Sequence, residues 1–71
     1  MKTIIANVDI GGNNWRTQKI DVYTKKEAKK ILATKDWEIS EDAYIDNKRV
    51  AVGFEYVENN TVCGLYMEGK K

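Results

Sequence analysis

Alternating apolar and polar residues run through the first third of the chain and predict a β-hairpin. Every second residue is apolar over 3–10, and the same period returns over 16–23, as is typical of half-buried strands. A loop of residues 11–15 keeps the apolar side chains of both strands on one face. The predicted register places Ile4 opposite Val22.

A capping pattern and a helical period follow the hairpin and predict one short helix, Thr24–Lys35. Thr24 is a favourable N-cap residue, and Glu27 three positions later completes a capping box. At 100° per residue the segment has a narrow apolar side and a basic side. The apolar side consists of Ala28, Ile31 and Leu32, and the basic side consists of Lys25, Lys26, Lys29 and Lys30.

The stretch 36–46 has an interrupted strand pattern. Apolar residues alternate at its start and again from Ala43, but Glu41 falls where a buried side chain is expected. Either a bulge or turn lies at 40–42, or the strand begins only near Ala43. The sequence leaves open whether Glu41 is buried.

The last third of the chain carries the clearest strand signal. RVAVGFEYV alternates over 49–57 between two asparagine-containing segments. Asn47-Lys48 and Asn59-Asn60 are predicted as two-residue turns, because asparagine tolerates the left-handed region. The second turn pairs Tyr56 with Cys63, Phe54 with Leu65 and Val52 with Met67, and we predict that the helix covers these six side chains.

These elements predict an α+β fold in one small domain, residues 1–71, with a frayed tail over 68–71. The element order is β-β-α-β-β-β. The expected architecture is a mainly antiparallel sheet of four or five strands, with the helix packed across one face. A chain of 71 residues has room for only a thin core.

The composition argues against an enzyme. The chain has no histidine and a single cysteine, Cys63, so the commonest general base and the usual zinc ligand sets are missing. The spacing around Gly11-Gly12 matches neither a phosphate-binding loop nor a dinucleotide fingerprint. We therefore predict no catalytic residue, no cofactor and no metal site.

Cysteine usage and apolar runs bear on the compartment. A lone Cys63 cannot form an internal disulfide, so a reducing cytoplasm is expected. The segment MKTIIANVDI lacks the apolar core of a signal peptide, and no apolar run is long enough to span a membrane, so no membrane partner is predicted. Ten lysines against two arginines and no proline fit an AT-rich genome, such as that of a low-GC bacterium or its phage.

Charge is segregated along the chain. Residues 16–35 hold seven basic and two acidic residues, whereas 36–46 hold five acidic and no basic residues. We favour the interpretation that the two blocks offset each other in the fold. Otherwise they form separate patches, and the acidic patch could engage a basic partner. An anion such as a phosphate backbone could dock on the lysine side of the helix.

Aromatic residues supply the best candidates for partner contact. Trp15-Arg16 lies in or beside the glycine-rich turn, and Trp, Tyr and Arg dominate interface hot spots. Tyr44 and Tyr66 are predicted on the sheet face opposite the core.

These features predict a small non-catalytic protein-binding module, such as a phage or mobile-element accessory protein or inhibitor that acts by occlusion. One alternative is a nucleic-acid-binding domain that uses the basic side of the helix and stacks bases on Trp15, Tyr44 or Tyr66. Another is a homodimer formed through an exposed edge strand.

Overall fold

Strands dominate the fold. The computed structural model describes residues 1–69, of which 61% lie in strands and 12% in the helix. The bounds are β1 Lys2–Asp9, β2 Trp15–Tyr23, α1 Lys25–Leu32, β3 Trp37–Ile39, β4 Ala43–Ile45, β5 Lys48–Glu58 and β6 Thr61–Glu68. The order is therefore β-β-α-β-β-β-β, with one strand more than predicted, because the acidic stretch contains two short strands.

A short parallel pairing closes the sheet. Strands β5, β4, β1, β2 and β6 are neighbours in that order, and β6 pairs again with β5. The closing contact between β2 and β6 consists of Val22 with Tyr66 and Tyr23 with Met67, and all other pairings are antiparallel. The predicted open sheet with a helix across one face is therefore wrong. Five strands form a closed barrel, and α1 lies against its outside at β2 and β6.

The barrel interior is filled by small and β-branched side chains. Ala43 and Ala51 pair directly across β4 and β5, and both are fully buried. A five-stranded barrel is narrow, and alanines at these positions leave room for the branched side chains opposite them. The buried interior residues are Ala6, Val8, Ile20, Val22, Ala43 and Ala51, with Ile4, Val50 and Tyr66 packed against them.

A second apolar cluster joins α1 to the outside of the barrel. The predicted capping box is present: the Glu27 N–H donates to Thr24 Oγ1 at 3.1 Å, and the Thr24 N–H donates to Glu27 Oε1 at 3.0 Å. The predicted apolar side of the helix also faces inward, with Ala28 and Leu32 buried. These two side chains pack on Phe54 and Leu65, with Tyr23, Ile31, Val52, Tyr56 and Met67 around them.

The hairpin of β5 and β6 makes buried contacts on both faces, although part of it is exposed. Its predicted register is confirmed, with Tyr56 opposite Cys63 and Phe54 opposite Leu65, because Asn59 and Asn60 adopt the left-handed turn conformation. One face of the hairpin packs on the helix, and the other packs into the barrel.

The end of this hairpin differs from its predicted tail. Glu68 is paired with Ala51 as the last residue of β6, so the tail does not begin there. Gly69 follows outside the strand, and residues 70–71 of the predicted tail lie outside the described residues.

The first hairpin has the predicted loop length but is shifted by one residue at each end. The loop is 10–14, so Ile4 lies opposite Ile20 rather than Val22. The Ile10 N–H donates to the Asn14 carbonyl at 2.9 Å, which draws Ile10 into the loop. Trp15 consequently begins β2 directly beside the turn, which is one of its two predicted positions.

The acidic stretch runs along one edge of β5 and is interrupted beside Gly53. Strand β3 pairs with residues 54–56 of β5 and β4 pairs with 48–51, both antiparallel, with an irregularity in the pairing at Ala43. Beside Gly53 the Ser40 N–H donates to the Gly53 carbonyl at 2.8 Å, and the Gly53 N–H donates to Asp42 Oδ1 at 3.1 Å. Glu41 is exposed within this connection. The pairing with β5 continues in β4 after a register shift between Ala43 and Tyr44, so the predicted interruption is a bulge-like irregularity rather than a turn.

The turn between β4 and β5 is displaced by one residue from its predicted position. Its corner is Asp46-Asn47 rather than Asn47-Lys48, because both corner residues have positive φ, 50° and 63°. Ile45 then pairs directly with Lys48, as in a two-residue type I′ hairpin.

Candidate functional site

Two predicted contact residues, Trp15 and Tyr44, meet on the outer surface of the barrel. Their rings form an edge-to-face pair with centroids 5.6 Å apart, a favourable geometry for aromatic side chains. They come from β2 and β4 and reach toward each other across β1, where Asn7 is paired with Tyr44. Thr17 donates a hydrogen bond to Asn7 Oδ1 at 2.7 Å and so fixes the side chain between them.

A shallow depression of about 520 Å³ is lined by Asn7, Trp15, Tyr44 and Asn47. Trp15 is 50% exposed, although it is a large apolar side chain. The depression thus combines aromatic surface with amide groups that donate and accept hydrogen bonds. Such a surface can bind an apolar side chain and orient the polar groups around it. We define Trp15, Tyr44, Asn7 and Asn47 as the aromatic site.

The other two predicted contact residues lie elsewhere. Arg16 is exposed and opposite Val8, so it projects to the other side of β2 from Trp15. Tyr66 packs against the interior cluster of the barrel, so its side chain does not lie on an uncovered sheet face as predicted. Burial raises the pKa of the Tyr66 phenol, and the negative charges of Asp42 and Glu41 add to the effect.

Stability at high pH should report this burial of Tyr66. The pKa of Tyr66 is raised in the folded chain, whereas a tyrosine in the unfolded chain has a pKa of about 10. Below that pH the phenol keeps its proton in both states, so it does not lower the free energy of unfolding. Above that pH the unfolded chain loses the proton first, and the free energy of unfolding should fall. Urea unfolding of Tyr66→Phe, which has no phenolic proton, should show a smaller alkaline loss than the wild type. Equal losses in both proteins would contradict this placement.

The aromatic site was only partly visible in the sequence. Asn7 and Asn47 were not predicted as contact residues, because polar residues on strands and turns are ordinary. One signal for Asn7 was present: it lies on the polar side of β1, in the same alternation that directs Ala6 and Val8 inward. The contribution of Asn47 depends on the turn corner, which the sequence placed one residue too late.

The basic side of the helix lies at the other end of β2 from the aromatic site. Strand β2 extends from Trp15 to Tyr23, about 26 Å at the usual rise per residue, and α1 begins just beyond it. Bases stacked on Trp15 would therefore be far from the helix. The Glu27 carboxylate also binds the Met1 amine at 2.9 Å and places negative charge at the helix N-terminus, where an anion would dock.

The prediction that the basic stretch 16–35 and the acidic stretch 36–46 offset each other is not supported by the ion pairs. Within residues 1–69 the ion pairs join the Met1 amine to Glu27, Lys35 to Glu58 and Arg49 to Asp42. None of them joins the basic stretch 16–35 to the acidic stretch 36–46. The four lysines on the basic side of the helix are exposed: Lys25, Lys26, Lys29 and Lys30.

The described part of the chain carries neither a cluster of metal ligands nor a helix that could span a membrane. Across residues 1–69, no three or more acidic or cysteine side chains are grouped so that they could hold a metal ion. The helix of this same region is too short and too polar to cross a membrane.

Together the fold and the aromatic site define a small closed β-barrel with one external helix and an aromatic pair whose tryptophan is exposed. Comparison of the chain with models of protein families, with curated proteins and with solved structures gives no match.

Proposed function

We propose that this chain is a small non-catalytic protein-binding module that contacts its partner through the aromatic site. The observation that carries the proposal is the contact of Trp15, which is 50% exposed, with the partly buried ring of Tyr44. Tryptophan and tyrosine are the residues most enriched at the energetic centres of protein interfaces. A pair held by neighbouring side chains loses little conformational freedom on binding, which favours affinity.

The proposal explains why these aromatic residues are not used by the core. Neither Trp15 nor Tyr44 belongs to the two apolar clusters that hold the barrel and helix together. The module would act by covering a surface of its partner, because the chain lacks histidine and offers little for acid–base chemistry. The half-buried free thiol of Cys63 supports placing this activity in a reducing cytoplasm.

Matched tryptophan substitutions test the proposal. Trp15 and Trp37 are both 50% exposed, but Trp37 packs edge-to-face on Phe54 with centroids 5.2 Å apart. Proteins retained by the immobilised chain from a lysate would be identified, and their affinities for Trp15→Ala and Trp37→Ala would be measured. Trp15→Ala should weaken binding roughly thirtyfold, the effect of about 2 kcal/mol at a hot spot, whereas Trp37→Ala should retain affinity.

Two results would overturn the proposal. The first is that the wild-type chain retains no protein. The second is that Trp15→Ala and Trp37→Ala bind the retained protein equally well, which would exclude the aromatic site as the contact. Tyr44→Ala provides a second probe of the same site, since its ring contacts Trp15 directly.

Nucleic-acid binding through the helix is the second candidate function. The observation favouring it is that the lysine side chains on the basic side of α1 take part in none of the ion pairs found within residues 1–69. Binding of this kind weakens steeply with salt, because each phosphate contact releases counterions. A mobility shift at low salt that is lost on changing these lysines to glutamine would favour it. The lysines are Lys25, Lys26, Lys29 and Lys30.

A further inference from the structure

One edge of β6 lacks a strand partner over much of its length. Strand β6 pairs with β5 from Thr61 to Glu68, but with β2 only at Tyr66 and Met67. Within residues 1–69, no other backbone–backbone hydrogen bond reaches 61–65. The N–H and C=O groups that point away from β5 in this segment therefore form an open edge, about 16 Å long at the usual rise.

This open edge has none of the usual protection against strand addition. Native edges are commonly guarded by lysine, proline or charged side chains, and the neighbouring edge of β2 carries Arg16 and Lys19. The segment Thr61–Leu65 has the sequence TVCGL, with no charge and no proline. Gly64 is exposed within it, which leaves room for another backbone to approach.

A groove of about 440 Å³ runs beside the open edge. Its apolar lining includes Ile10, Val62 and Tyr66, and its charged lining consists of Asp9, Glu41 and Glu55, without any lysine or arginine. We call this feature the acidic groove.

The acidic groove continues along the hairpin. A neighbouring depression of about 270 Å³ shares Glu55 and Val62 with it and adds Asp36 and Glu38, again without a basic residue in its lining. The negative charge therefore extends along the hairpin instead of being confined to one point.

We propose that the open edge of β6 and the acidic groove together bind an extended, lysine- or arginine-bearing peptide segment of a partner protein. The segment adds to β6 as a strand, with its backbone groups bonded to those of 61–65. Alternate side chains of an added strand point to the same face, so basic residues at every second position would enter the groove. There they would lie near Glu41, Glu55 and Asp9.

This inference goes beyond the proposed function, because the groove and the aromatic site share no lining residue. The two surfaces can therefore fail independently. In particular, Trp15→Ala should leave peptide binding at β6 unchanged.

Three short peptides test the inference by amide NMR titration of the whole chain. The first alternates lysine with valine, the second replaces each lysine with glutamate, and the third is the lysine peptide with alternate backbone nitrogens methylated. The lysine peptide should shift the amide signals of 61–65 and slow their hydrogen exchange. The glutamate and methylated peptides should bind at least roughly tenfold more weakly, since each lacks one part of the recognition.

A charge reversal locates the acidic contribution. Glu55→Lys should weaken the lysine peptide several-fold, whereas Glu68→Lys should not, because Glu68 is exposed on the same strand pair but does not line the groove. If Glu55→Lys fails to fold through loss of its hydrogen bond with Ser40, Glu41→Lys serves in its place, since its side chain is exposed.

Four outcomes would overturn the proposal. Equal affinity for the lysine and methylated peptides would exclude strand addition, and equal affinity for the lysine and glutamate peptides would exclude the charge. Absence of any shift at 61–65 with the lysine peptide would exclude the site. Concentration-dependent protection of these amides without peptide would instead assign the edge to a second copy of the chain.

Discussion

Replacing Gly53 with alanine should destabilise the fold by about 3 kcal/mol, at the upper end of the usual cost of overpacking. A Cβ added at Gly53 would overlap the carbonyl oxygen of Glu41, which is a backbone atom and cannot rotate away. The connection between β3 and β4 would have to lift off β5. That movement would lengthen the bonds from Ser40 and Asp42 to the Gly53 backbone.

Gly64 provides the matched control for this substitution. It lies on β6 opposite Glu55, and a Cβ there would meet only the Phe54 carbonyl oxygen at 3.9 Å. Gly64→Ala should therefore change stability by no more than about 1 kcal/mol, with a tendency to stabilise through the lower entropy of the unfolded chain. Urea unfolding of the three proteins under one condition gives both differences.

Equal stability of the two variants would mean that the backbone at Glu41 does not approach Gly53 as closely as described. A large loss for Gly53→Ala alone would instead confirm this close approach. It would also identify Gly53 as the residue that lets β3 and β4 share one edge of β5. The glycine thereby links the acidic stretch to the barrel.

Local signals in the sequence were sufficient to predict most of the strands and the helix, but not the closure of the strands into a barrel. The register of β5 and β6 follows from a strong alternation and the Asn59-Asn60 turn, and both are local. Closure depends on two parallel pairs, Val22 with Tyr66 and Tyr23 with Met67. They join strands separated by the whole middle of the chain, and nothing in a period of two specifies which distant strand completes the sheet.

One signal of the barrel was nevertheless present in the sequence. Residues 50–54 read VAVGF, without a polar side chain at either parity, and such a run is typical of a strand that is buried on both faces. The prediction made from the alternation of apolar and polar residues placed only one face of this strand in the core. The structure has Ala51 buried inside the barrel and Phe54 buried beneath the helix, so the uninterrupted run was the more informative feature.

The sequence identified the two aromatic residues of the site, but it did not show that they contact each other. Trp15 and Tyr44 were expected to contact a partner, yet they come from strands that β1 separates in the sheet. Their meeting depends on the pairing of β1 with β4 at Asn7, a contact that the sequence does not indicate. Tyr66 was assigned to the open face of the predicted sheet, and closure of the barrel turned that part of the face inward.

Replacing Leu65 with alanine should cost about 3 kcal/mol, as is usual for a buried leucine that leaves a cavity. Leu65 is 5% exposed and lies between Phe54 and the helix side chains Ala28 and Leu32. The substitution removes the part of β6 on which α1 rests, since the helix has its main contact with this strand. Urea unfolding measures the loss. Trp37 fluorescence in a Trp15→Phe background follows the environment of Phe54, which Trp37 contacts.

Val62→Ala on the same strand separates this effect from a general weakening of β6. Val62 is 68% exposed, so its truncation should change stability by less than about 0.5 kcal/mol. If Leu65→Ala and Val62→Ala were equally mild, the helix would not be held by the outer face of β6, and the second apolar cluster would lose its basis. A large loss for Leu65→Ala alone means that the two faces of the hairpin stabilise different contacts. Its inner face then closes the barrel, and its outer face anchors the helix.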